Sequence, residues 1–108
     1  MGESEKVFII MGVSGTGKTT VGKLLAKALD IPFFDGDDYH PGANVKKMSE
    51  GIPLNDEDRE GWLFTLNELA LKHRSSGAVI ACSALKETYR TILKKGLGHD
   101  LKFVYLQG

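Results

Sequence analysis

Val7-Phe8-Ile9-Ile10-Met11-Gly12-Val13-Ser14-Gly15-Thr16-Gly17-Lys18-Thr19 decides the fold. Five consecutive apolar residues show no period-two break, which reads as a strand buried on both faces, as in a parallel sheet. Glycines follow at once, and from Lys18 the apolar positions Val21, Leu24, Leu25, Ala28 and Leu29 recur at helical spacing. The pattern G-x-x-x-x-G-K-[ST], met in full by Gly12 to Thr19, therefore lies between a buried strand and a helix, where its mechanism requires it. Glycines let the backbone turn so that successive N–H groups point inward and cradle a triphosphate, while the helix N-terminus adds partial positive charge. Lys18 supplies a full charge near the transferred phosphoryl, and the Thr19 hydroxyl is placed to ligate Mg²⁺. Gly12, Val13, Ser14, Gly15, Thr16, Gly17, Lys18 and Thr19 are the expected nucleotide-binding residues. The pattern names a nucleoside triphosphate and leaves the reaction open.

Outward from that loop, the chain keeps alternating short apolar runs with helix-period segments, the mark of an α/β fold on a parallel sheet. Asp30-Ile31-Pro32 ends the first helix and Phe33-Phe34-Asp35 is a short second strand. Gly36 to Pro53 is a polar loop punctuated by Pro41, Gly42, Gly51 and Pro53, with one short helix expected around Asn44 to Ser49. A long helix is predicted from Asn55 or Asp56 to the stop at Ser75-Ser76-Gly77, burying Trp62, Leu63, Leu66, Leu69 and Ala70. Ala78 to Cys82 is the third strand. A helix with Leu85, Tyr89, Ile92 and Leu93 on one side follows and stops at Gly96, and Leu101 to Leu106 is the fourth strand.

One domain is the count that 108 residues allow. Lys plus Arg and Asp plus Glu are both 14, so there is no basic field to draw in nucleic acid or an anionic membrane, and neither is expected as a partner. The run Val7 to Met11 is too short to span a bilayer, and Lys6 stands where a myristoylation signal wants Ser or Thr. Cys82 is the single cysteine, which excludes an internal disulfide, fits a cytoplasmic location, and reads as a small buried strand residue.

Asp35, Asp37 and Asp38 crowd the carboxyl end of the second strand, the end that opens toward the ligand crevice of a parallel sheet. Alternate placement lets Asp35 and Asp37 point differently, one toward Mg²⁺ or its water shell and one toward an acceptor hydroxyl that must lose its proton. Three aspartates are equally good turn formers, and that reading stays open. The third strand ends in Cys82-Ser83 and lacks the acidic residue often found at that place in motors and GTPase switches, so Asp35 is the better metal candidate. Lys86 and Arg90 stand at i and i+4 with Lys94 a turn further, a cationic face suited to an anion, or a solvated surface with Glu87 pairing Arg90. His40 and Arg59 are further candidates for an anionic substrate.

Met11 to Thr19, Asp35-Gly36-Asp37-Asp38-Tyr39-His40-Pro41, Gly51-Ile52-Pro53-Leu54-Asn55-Asp56 and Cys82-Ser83-Ala84-Leu85-Lys86 together resemble the gluconokinase family. Shikimate kinases share the loop and the acidic turn but not the other blocks. The resemblance implies a P-loop kinase-type three-layer sandwich with four of five parallel strands present. It also implies ATP-dependent phosphorylation of D-gluconate at its terminal hydroxyl, with ATP and Mg²⁺ as cofactors. By the same resemblance Asp37 is the catalytic base beside Lys18, and Asp37, His40, Asn44, Arg59, Lys86, Tyr89 and Arg90 bind the substrate, while Thr19 and Asp35 are the expected metal ligands from their own placement. Gly61 departs from an expected proline, and Glu87 from a common second lysine. Family members continue past Gly108 into an arginine-bearing lid, a fifth strand and a last helix. The chain is therefore expected to turn over little by itself, and its fourth strand to be an open edge that aggregates or seeks a partner, a homodimer included. A second function class, a non-catalytic nucleotide-binding or partner-binding remnant, stands beside the kinase, as does a kinase for another small hydroxy acid such as shikimate.

Overall fold

The computed structural model describes residues 6–12, 17–82 and 87–105. Val13, Ser14, Gly15 and Thr16 of the loop, Lys86, and the expected strand end at Leu106 lie outside the described residues. Strands β1 (Val7–Met11), β2 (Phe33–Asp35), β3 (Ala78–Cys82) and β4 (Leu101–Tyr105) alternate with helices α1 (Lys18–Leu29), α2 (Gly42–Ser49), α3 (Asp56–Lys72) and α4 (Glu87–Leu93). The sheet order is β2-β3-β1-β4 with every pairing parallel, as the alternating pattern predicts.

Met11 pairs with Cys82 on one side and Tyr105 on the other, and Asp35 pairs with Ala81. The carboxyl ends of all four strands are thus flush. That register sets the start of α1, the acidic turn and the end of β4 along one rim, where open parallel sheets bind ligands.

Successive strand residues face opposite ways, and both faces are covered. Ile9, Met11, Ile80 and Cys82 join Trp62, Leu63, Leu66 and Ala70 of α3 and Tyr89 and Leu93 of α4 in the larger core. Ile10 and Val79 meet Ala26 of α1 on the other face. The expected apolar stripe on α1 is largely turned away from the sheet: Leu24 is 64% exposed, while Gly22 and Ala26 are buried. A side chain at Gly22 would put its Cβ 2.4 Å from the Phe33 ring, so the two small residues, one turn apart, set how closely the helix approaches.

α2 begins at Gly42, two residues ahead of the expected start, because the Pro41 carbonyl already accepts from Asn44 and Val45. α3 opens on a reciprocal cap: the Asp58 N–H donates to Asn55 Oδ1 at 2.8 Å and the Asn55 N–H to Asp58 Oδ2 at 3.0 Å. It ends at Lys72, and the chain turns into β3 through Gly77, whose φ of 98° only glycine adopts without strain. Asn67, buried in the middle of α3, donates to the Leu93 and Lys95 carbonyls and satisfies the end of α4.

Candidate functional site

The strand rim holds a cleft of about 310 Å³ lined by Gly17, Lys18, Thr19, Asp35, Asp37, Ala81 and Cys82. Lys18, Thr19, Asp35 and Asp37, assigned to different chemical tasks from sequence, share this one space. Gly17 sits at φ 84° immediately before α1, so the loop enters the helix through a left-handed turn and presents Lys18 and Thr19 from its first residues. Asp35 is the last residue of β2, and its Oδ1 accepts the Asp37 N–H at 3.0 Å. That bond closes a 3₁₀ turn over Gly36–Tyr39, at the start of the stretch expected to be loop.

The turn is pressed against the sheet. The Gly36 carbonyl accepts from Trp62 Nε1 at 2.8 Å, and a Cβ on Gly36 would stand 2.4 Å from the Ala81 carbonyl oxygen. Asp37 is exposed at the mouth of the cleft, and its carboxylate accepts no hydrogen bond among the described residues. It is available to a substrate hydroxyl. Thr19 and Asp35 offer hard oxygen ligands, and no group of three or more metal-ligating side chains forms among the described residues. An ion here would be shared with phosphate oxygens, the manner in which Mg²⁺ is usually held.

A second group of side chains stands behind the acidic turn. The His40 ring stacks on Trp62 at 4.5 Å between centroids and 17° between planes. Asn44, 2% exposed, directs its Nδ2 to the Asp58 carbonyl at 2.8 Å and to His40 Nδ1 at 3.2 Å. Lys47 pairs with Asp58 at 2.7 Å, so Asp58 anchors α2 to the start of α3 through backbone and side chain together. Burial holds the His40 imidazole below its ordinary pKa, opposed by the Asp37 charge. The Asp58 carboxyl is held low by hydrogen bonds from Lys47 and from the Asn55 N–H.

The remaining expected residues divide. Tyr89 is buried and its hydroxyl donates to Asp56 Oδ1 at 3.3 Å. Arg90 reaches across to β4, donating from Nη1 to the Tyr105 hydroxyl with its guanidinium 5.6 Å from that ring's centroid. No Glu87–Arg90 ion pair forms. Arg59 is half-buried on α3 and has no ion pair among the described residues. Lys94 lines a separate hollow with Phe64, Thr91, Ile92 and Lys95, away from the cleft. Trp62, Asp56 and Tyr105 are the contacts that the sequence reading missed. Trp62 is the single tryptophan, and its spacing signalled a core residue only.

The shikimate kinase family model matches residues 14–107. A probable gluconokinase of Xenopus tropicalis is 47% identical, over 94% of this chain and 62% of that protein. The thermosensitive gluconokinase of Escherichia coli is 50% identical, over 94% of this chain and 54% of that protein. Among solved structures, a gluconokinase from Sinorhizobium meliloti 1021 superposes with a TM-score of 0.83 at 44% identity, covering 99% of this chain and 60% of that one. A shikimate kinase from Acinetobacter baumannii, at 24% identity and a TM-score of 0.62, shares the fold. The chain thus spans between half and two thirds of the length of these curated relatives. With the family match running over nearly all of its length and Gly17–Thr19 meeting the acidic turn at one rim, the chain belongs to the shikimate kinase family of P-loop kinases, where its relatives at 47% and 50% identity are a probable gluconokinase and a gluconokinase.

Proposed function

We propose that this chain carries the nucleotide and acceptor sites of a gluconokinase, which transfers the γ-phosphoryl of ATP to the terminal hydroxyl of D-gluconate and yields 6-phospho-D-gluconate. The observation that supports this most is the single cleft joining Lys18 and Thr19 to Asp35 and Asp37. Lys18 and the N–H groups at the start of α1 hold the phosphates and stabilise the charge that moves onto their oxygens. Mg²⁺, when bound, neutralises charge across those oxygens, and Thr19 and Asp35 are the residues that would hold it. Asp37 accepts the proton of the attacking hydroxyl as the new O–P bond forms. His40, Arg59, Lys86 and Arg90 bind the sugar acid, whose carboxylate calls for charge-assisted donors. No described helix is long and apolar enough to cross a membrane, and a cytoplasmic location goes with this reading.

The test is a coupled assay with gluconate and shikimate as rival acceptors, run on the chain alone and on the chain joined to the remaining segment of a relative. Gluconate-dependent 6-phosphogluconate from the joined form, with little from the chain alone, is the expected result. Phosphorylation of shikimate and none of gluconate would overturn the reading.

A further inference from the structure

The Asn44 amide has two N–H groups and both are committed. One meets the Asp58 carbonyl oxygen at 2.8 Å, and the nitrogen lies 3.2 Å from His40 Nδ1. A backbone carbonyl can only accept. The group facing it must therefore be the amide nitrogen, and this settles which way the Asn44 side chain is turned. With the amide nitrogen fixed as donor, Nδ1 of His40 must be the acceptor, so it carries no proton. A neutral imidazole has one N–H, and it is then on Nε2.

Three features make this arrangement hard to reverse. Asn44 is 2% exposed, so water cannot replace its partners. The Asp58 carbonyl is held in the first turn of α3, between the Asn55 cap and the Lys47 ion pair. Trp62 lies flat against the imidazole and is itself tied to Gly36, which opposes a ring flip that would put Cδ2 where Nδ1 now faces Asn44. Among the described residues nothing accepts from Nε2.

We propose that Asn44 and Trp62 are positioning residues that lock His40 as its Nε2–H tautomer, making it a fixed hydrogen-bond donor to an oxygen of the sugar-acid substrate. His40 is thereby prevented from competing with Asp37 as proton acceptor. A donor of set direction also discriminates: it favours a hydroxyl or carboxylate oxygen at that place over a methylene, because losing a hydrogen-bond partner in a closed site is costly. The low pKa that burial imposes on His40 agrees with a neutral ring. This inference rests on the gluconokinase reading for the identity of the acceptor, and on the protein's own contacts for the tautomer.

Nitrogen-detected NMR of the histidine ring in the unliganded chain at neutral pH reads the tautomer directly. The expected result is a single Nε2–H form for His40; an Nδ1–H form or a mixture overturns the proposal. Asn44→Leu, close in size and without donors, should release His40 into a mixture of tautomers and weaken gluconate binding about tenfold, the loss of one hydrogen bond. Because that variant removes a buried link between α2 and α3 and could fail to fold, a second pair is compared. His40→Gln keeps a donor near Nε2 and should retain gluconate affinity, whereas His40→Asn places its amide near Nδ1 and should not. Equal affinities in the pair would overturn the donor role. A locked Nε2–H signal that gluconate leaves unmoved would instead uphold the tautomer and refute the substrate reading.

Discussion

Gly36→Ala isolates the contact that ties the acidic turn to the sheet. An ideal Cβ at Gly36 lies 2.4 Å from the Ala81 carbonyl oxygen and 3.3 Å from Leu66 Cδ1. Carbon–oxygen contacts settle at about 3.3 to 3.6 Å, so roughly 1 Å of movement must be found. Ala81 cannot supply it, since it pairs with both Ile10 and Asp35 in the middle of the sheet. The turn must move instead, away from β3 and off the Trp62 indole. Overpacking of this kind costs about 1 to 3 kcal/mol. At about 4 to 8 °C per kcal/mol for a domain near this size, the melting temperature should fall by about 4 to 24 °C. Asp35 and Asp37 travel with the turn, and a misplacement near 1 Å can cost about 10²-fold in turnover. Gly61→Ala is the control: it lies within α3, its nearest foreign atom is the Pro41 Cγ at 4.0 Å, and it should gain about 0.5 to 1 kcal/mol. Thermal denaturation followed by circular dichroism compares the three proteins. A Gly36→Ala variant that melts at or above the wild type would refute the close approach of turn and sheet.

Lys18→Ala should abolish binding of a fluorescent ATP analogue while far-UV circular dichroism stays unchanged, because the side chain lines the cleft and not the core. In the chain joined to the remaining segment of a relative, Asp37→Asn should lower turnover by about 10² to 10⁴ with ATP affinity near normal, the range for a positioned proton acceptor; a fall of less than about tenfold would remove it from that role. Arg90→Ala should raise the gluconate KM more than the ATP KM, by about 1.5 to 3 kcal/mol for a lost charge-assisted bond, and equal effects would move Arg90 to the nucleotide. Asp58 has a folded pKa held below its ordinary value by Lys47 and Asn55. Its stabilising contribution is therefore complete above the unfolded pKa and disappears as pH falls through the folded one. Urea midpoints of wild type and Asp58→Asn, measured from neutral to acid pH, should differ at neutrality and converge below the ordinary carboxylate range.

Strand and helix periods, punctuated by glycine and proline, determined the element order, because both signals are local to the chain. The phosphate loop was legible for the same reason: a contiguous motif with its strand before it and its helix after it carries its own context. The acidic turn was legible as a cluster of carboxylates at a strand end. What the local pattern could not hold was distance between segments. The apolar stripe of α1 gave no hint that Gly22 and Ala26 would take the sheet and leave Leu24 exposed, since the choice depends on Phe33 standing opposite. Asn44 and Trp62 looked like a polar helix residue and a core residue. Only their contacts across to the acidic turn and α3 made them the two supports of His40, and the Trp62–Gly36 bond closes a gap of 26 positions in the sequence. Likewise the sheet order β2-β3-β1-β4 placed Lys18 and Asp37 across one cleft, because register between strands is set by how buried faces pack together and not by anything written within a single strand.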